Sequence, residues 1–199
     1  MRFLQLFLLV FCAAAHAAPP QPPSVAGRSW IIGDLSSGQV LAAQKADERI
    51  EPASLTKLMT AYLVFAALRD KKLTPEQQVH VSERAWRAPG SRMFIQPRRP
   101  VTVDELIRGM VVQSGNDAAL ALAEALAGSE AAFASLMNGT AARLGMRDSA
   151  FVNATGFPAP GHASTARDLA LLAGALIRDF PAEYARYYAQ KEFSYNGIT

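Results

Sequence analysis

Two short apolar runs open the readable pattern of this chain. In "RSWIIGDLSSGQVLAAQ", Trp30–Ile32 and Val40–Ala43 flank a turn at Ser36, Ser37 and Gly38, which predicts a β-hairpin. From Glu51 the pattern changes. "EPASLTKLMTAYLVFAAL" is almost wholly apolar after Lys57, and Leu58, Met59, Ala61, Leu63, Val64, Phe65 and Ala66 lie all round a helix. Such a helix belongs in the centre of a domain, and the charged "RDKK" ends it. "TVDELIRGMVV" begins with Thr102 and Glu105 at capping-box spacing, so a second helix starts near Val103. It breaks at "QSGND" and resumes as "AALALAEALAG", stopping at Gly128. "SEAAFASLMNGTAARLG" is amphipathic, with Phe133, Leu136, Met137 and Leu144 predicted on one buried face. After the turn-rich "NATGFPAPGHAS", Thr165 and Asp168 form a second capping-box pattern ahead of "ARDLALLAGALIRDF". "AEYARYYAQ" reads as helix and "EFSYNGI" as a strand or extended segment. Strands, then many helices, then a hint of a returning strand predict an α+β fold, an α/β sandwich whose sheet is unfinished.

The first seventeen residues stand outside that fold. "MRFLQLFLLVFCAAAHA" has one early positive charge, an apolar run from Phe3 to Val10, and small residues at Ala15 and Ala17. That is the layout of a secretory signal, predicted over residues 1–17, and its apolar run is too short to span a bilayer. Phe11 stands before Cys12 where a lipidation motif resembles a small residue, so lipidation is rejected. Residues 18–27 read as a proline-rich linker and 28–199 as the folded domain. Cys12 is the single cysteine, so the exported chain depends on its core, not on disulfides. Export across an inner membrane into the periplasm or cell envelope is the predicted location.

Charge and histidine content exclude some chemistry. The net charge is +3, and Arg2 leaves with the signal. The basic stretch "RAPGSRMFIQPRR" lacks the interleaved aromatics of a stacking platform and reads as a solvated loop, so no nucleic-acid partner is predicted. Of His16, His80 and His162, the first leaves with the signal and the others lack zinc-ligand spacing; no metal and no cofactor are predicted. His162, in a Gly/Pro-rich loop, reads as a loop residue and not as part of a Ser-His-Asp triad.

The chemistry centres on Ser54 and Lys57. A serine at a helix start is ordinarily an N-cap, yet a capping box wants Glu or Gln three residues on, and this chain has lysine. A cation at the positive end of a helix is misplaced. Serine three residues before lysine is common by chance, so its surroundings carry the reading. The two share a helix face, within reach of a hydrogen bond. Lowering a lysine pKa from about 10.4 to about 7 takes more than about 4 kcal/mol against the charged form. The dipole supplies only about 0.3–1 kcal/mol, whereas desolvation by the apolar run after Lys57 supplies several pKa units. Lys57 thus reads as a base held where its charge is unwelcome. "SGND" is on its own an interhelical turn. Beside Ser54 and Lys57, Ser114 and Asn116 are predicted to point into one cleft, the hydroxyl relaying a proton and the amide holding a substrate carbonyl and orienting the lysine. Asp117 is read as the cap of the following helix.

"PASLTKLMTAY", "LIRGMVVQSGNDAALALAE" and "GHASTARDLALLAGALI" resemble successive blocks of the low-molecular-mass penicillin-binding proteins, the serine-type D-alanyl-D-alanine carboxypeptidases, from about Trp30 onward. The resemblance implies that Ser54 is the acylated nucleophile, Lys57 its base, and Ser114 with Asn116 the second catalytic element. It implies a peptidoglycan stem peptide as substrate and β-lactams as inhibitors. The family's third element, a K-T-G strand edge, is not in the chain, and "EFSYNGIT" resembles the segment just upstream of it. Residues 18–199 alone are accordingly expected to be inactive and poorly soluble. Membrane association is expected only through a C-terminal segment outside this sequence. The rival, a serine β-lactamase of class A, shares the first motif but carries S-D-N and a deacylating glutamate, whereas this chain has S-G-N and no E-x-x-L-N pattern. A non-catalytic wall-binding module is the second alternative.

Overall fold

The hairpin forms because a left-handed glycine, Gly38 at φ 72°, closes the turn between its two strands. In the computed structural model, which describes residues 25–198, strand β1 (Trp30–Gly33) pairs antiparallel with β2 (Val40–Gln44) in a two-stranded sheet. The secretory signal predicted over 1–17, and the linker as far as residue 24, lie outside the described residues. Among the described residues seven α-helices follow: α1 (Lys57–Arg69), α2 (Glu83–Trp86), α3 (Val103–Val112), α4 (Asn116–Ala127), α5 (Glu130–Leu144), α6 (Ala166–Asp179) and α7 (Pro181–Tyr188). The sheet rests on α6 through β1.

Helix α1 is the central element, as its all-round apolar pattern predicts. Met59, Ala61, Val64 and Phe65 are wholly buried. One side packs with Phe133, Met137 and Leu172 of α5 and α6; the other meets α3, α4 and α7, where Phe65 stacks on Tyr187 at 5.6 Å. Burying each of Met59, Val64 and Phe65 stabilises by about 1.5–3 kcal/mol, so whatever rides on this helix stands on a rigid base.

The capping box of Thr102 and Glu105 forms in full at the start of α3. At α6 only half of the second box forms. Thr165 accepts from the Asp168 N–H, but the Asp168 carboxylate turns away to take the Asp148 N–H at 2.9 Å and the Ser149 hydroxyl at 2.7 Å. Leu136 also departs from the predicted face. It is 46 % exposed, because Phe133, Met137, Thr140 and Ala141 already fill the inward stripe of α5. "EFSYNGI" is no strand; Tyr195 and Ile198 close a tight turn by exchanging backbone hydrogen bonds of 2.9 and 3.0 Å. Helix α2 has no counterpart in the sequence pattern, since its 4 residues are too few to show a period.

Candidate active site

The chain does not enter α1 by an N-cap at Ser54. A 3₁₀ turn, Ala53–Thr56, precedes the helix, and α1 begins only at Lys57. In a 3₁₀ turn, side chains three apart eclipse one another. That geometry stacks Lys57 over Ser54 and brings Nζ to 3.2 Å from Oγ. Ser54 is exposed while Lys57 is only 6 % exposed, so a hydroxyl open to solvent meets an amine held in the interior. The turn is strained at its first residue: Ala53 has φ 47°, a left-handed conformation costing a residue with a Cβ about 1–2 kcal/mol.

Three side chains of this turn and helix hold one loop. Lys57 Nζ donates to the Thr155 carbonyl at 2.9 Å, and Thr60 Oγ1 donates to the Ala154 carbonyl at 2.8 Å. Thr56 Oγ1 meets His162 Nε2 at 2.9 Å. Because the Val152 N–H donates to His162 Nδ1 at 3.0 Å, the ring proton sits on Nε2 and is given to Thr56. Burial holds the His162 pKa below its ordinary value. His162 is therefore a neutral pin between loop and turn, with both nitrogens occupied and neither on Ser54. The loop can lie this close only because residue 156 is glycine. Gly156 has φ 88°, and a Cβ there would fall 1.8 Å from the Ala53 carbonyl oxygen. Glu130 braces the same loop from behind, accepting the Ala154 N–H at 3.1 Å while paired with Arg84.

Burial pushes the Lys57 pKa from its ordinary 10.5 down to about 8. This is the desolvation that the apolar sequence implied, and no helix-dipole argument is needed. At neutral pH about a tenth of such lysines are unprotonated.

Ser54, Lys57 and Ser114 line one small cavity of about 110 Å³, with Met110 and Tyr188 among its walls. Ser114 sits on the break between α3 and α4 at φ 55°, a second strained residue at the same spot, as is common where structure is held for chemistry. Asn116 is placed differently from the expectation of one shared cleft. It lines a separate cavity of about 430 Å³ together with Thr155 and Phe157. Its Nδ2 donates to the Pro89 carbonyl at 2.7 Å; the groups that hold the lysine amine are the Thr155 carbonyl and Ser54. Asp117 is not the cap of α4, whose N-cap is Gly115. Its carboxylate instead accepts backbone N–H groups of the 93–95 segment. The Thr155 carbonyl was invisible in the sequence, since any residue offers one; the glycine that follows it was the available clue.

A buried amine under an exposed hydroxyl, at the head of a central helix and facing a serine-bearing helix break, defines a protein of the penicillin-binding serine-hydrolase type. The chain belongs to the D-alanyl-D-alanine carboxypeptidase family, peptidase S11, whose model matches residues 15–199. It is 46 % identical over 200 residues to the D-alanyl-D-alanine carboxypeptidase DacC of Escherichia coli, covering 96 % of this chain and 50 % of that protein. Penicillin-binding protein 5 from Haemophilus influenzae superposes with a TM-score of 0.87 at 37 % identity, over 90 % of this chain and 53 % of that one. Penicillin-binding protein D2 of Listeria monocytogenes, in its ampicillin-bound form, superposes with a TM-score of 0.79 at 30 % identity, over 90 % of this chain and 72 % of that one. The chain thus spans about half the length of the carboxypeptidases it matches in sequence.

Proposed function

We propose that the protein removes the terminal D-alanine from peptidoglycan stem peptides ending in D-Ala-D-Ala, through an acyl-enzyme on Ser54. The observation that carries this reading is the buried Lys57 amine, its pKa near 8, hydrogen-bonded to the Ser54 hydroxyl. Neutral Lys57 takes the Ser54 proton as Oγ attacks the carbonyl carbon of the scissile amide. The C–N bond then breaks, and the proton leaves with the D-alanine amine, by way of Lys57 and the Ser114 hydroxyl. Water hydrolyses the ester and restores Ser54. Asn116, which lines the larger cavity beside Thr155, holds a carbonyl of the substrate backbone. A β-lactam enters the same path and stays as a slowly released acyl group; that the Listeria relative has an ampicillin-bound form supports β-lactam binding. Residues 1–17 direct the chain across the inner membrane, so that the site works in the periplasm.

The test is mass spectrometry of the full-length protein treated with a penicillin, together with D-alanine release from a D-Ala-D-Ala peptide. One penicillin mass should map to Ser54, and Ser54→Ala should abolish both the adduct and the release. Persistent labelling in that variant would overturn the assignment.

A further inference from the structure

We propose that Asp117 is a positioning residue for acylation: with the N–H groups of Met93, Phe94 and Ile95 it locks the 91–95 segment against the α3–α4 break and so fixes Ser114 and Asn116. The inference rests on the function proposed above and deepens it. Asp117 is wholly buried, 0 % exposed. Its Oδ1 accepts from Met93 N at 3.0 Å and Ala118 N at 2.9 Å; its Oδ2 accepts from Phe94 N at 2.8 Å and Ile95 N at 3.1 Å. Three successive N–H groups converging on one anion form a nest, and the start of α4 adds its own positive end.

The nest is held at a cost. Phe94 has φ 66° and stays 42 % exposed, with the Arg92 guanidinium 4.8 Å over its ring, so burial of that side chain offsets the left-handed backbone only in part. What the nest gains is contact with the break. Asn116 N donates to the Ser91 carbonyl at 2.7 Å, and Asn116 Nδ2 to the Pro89 carbonyl at 2.7 Å. A Cβ on Gly115 would lie 3.0 Å from Asp117 Oδ1 and 3.2 Å from Met93 N, so segment, carboxylate and break interlock with no side chain between them. Ser114, the strained residue of the break, is followed directly by Gly115, which packs against this assembly and donates its N–H to the Gly109 carbonyl at 3.0 Å. Loosening the nest therefore shifts Ser114 and Asn116 while leaving Ser54 and Lys57, which stand on α1, in place.

Asp117→Asn tests this, since an amide oxygen can serve only two of the four donors and its NH₂ would face the other two. The full-length protein would be mixed rapidly with a fluorescent penicillin. The readings are the saturating acylation rate, the half-saturating concentration and the fraction finally labelled. The expected result is an acylation rate lower by about 10–100-fold, the scale of a misplaced catalytic group, with half-saturation within about threefold and nearly all of the protein labelled. A merely structural Asp117 would instead reduce the labelled fraction and leave the rate of that fraction unchanged, which would overturn the proposal. Phe94→Pro attacks the nest from the surface by removing one N–H and forbidding φ 66°, and it covers the case in which Asp117→Asn does not fold. Acylation within about threefold of wild type in either folded variant overturns the proposal. A wild-type protein that takes no penicillin on Ser54 overturns the reading beneath it as well.

Discussion

Replacing Lys57 by methionine separates a buried base from an ordinary structural lysine. The amine is buried, and its pKa falls from 10.5 to about 8. A shift of that size means the fold carries the charged form at a cost of about 3 kcal/mol, at 1.36 kcal/mol per pKa unit. Lys57→Met removes this cost at neutral pH, but it strips the Thr155 carbonyl of its donor, a loss of about 1–3 kcal/mol for a buried acceptor. The two nearly cancel, so the variant should be about as stable as wild type at pH 7. Raising the pH breaks the balance. Between about 8 and 10.5 the unfolded chain holds the Lys57 proton and the folded chain does not, so wild-type stability rises with pH across that window. The variant has no such group. Urea unfolding of both full-length proteins at intervals from pH 7 to 10.5 should therefore show wild type gaining about 3 kcal/mol relative to Lys57→Met. All other titrations cancel in that difference. A flat difference would mean that Lys57 titrates in the fold as it does in water, and the base assignment would fall with it. The variant should also form no acyl-enzyme, because the amine hydrogen-bonded to the Ser54 hydroxyl is gone.

Three further outcomes follow from the same geometry. Gly156→Ala should destabilise by about 3 kcal/mol or more, since its Cβ would overlap the Ala53 carbonyl and φ 88° is costly for alanine; chemical denaturation reads the loss, and acylation should slow because the Thr155 carbonyl must move. His162 is held neutral by burial, so the unfolded state takes up a proton that the fold refuses. Wild type should thus lose stability relative to His162→Gln as the pH drops through and below 6.5, whereas a constant difference from pH 7.5 to 5 would show the ring free to charge. Glu130→Gln keeps an acceptor for the Ala154 N–H but loses the charge paired with Arg84. Acylation should fall by less than about tenfold, and a complete loss would assign Glu130 a direct role.

The sequence by itself determined the elements whose signals are local. The hairpin turn at Gly38, the all-round apolar α1, the Thr102–Glu105 box and the glycine stop at Gly128 all rest on contacts a few residues long. It also paired Ser54 with Lys57, because their spacing alone sets their proximity, and the apolar run beyond implied the lysine's burial. The kind of turn that joins them was decided elsewhere. Gly156 lets a loop some hundred residues downstream press on Ala53, and that contact, with the Thr56–His162 and Lys57–Thr155 bonds, holds residues 53–56 as a 3₁₀ turn and not as a helical first turn capped by serine. The motif predicts Asn116 in one cleft with Ser54 and Lys57, and Asp117 as the local cap of its own helix. Tertiary structure sent the first toward Pro89 and a second cavity, and buried the second against three backbone amides of a loop more than twenty residues upstream. Backbone donors and acceptors are the same for every residue type, so a site built largely from them leaves little trace in the order of side chains.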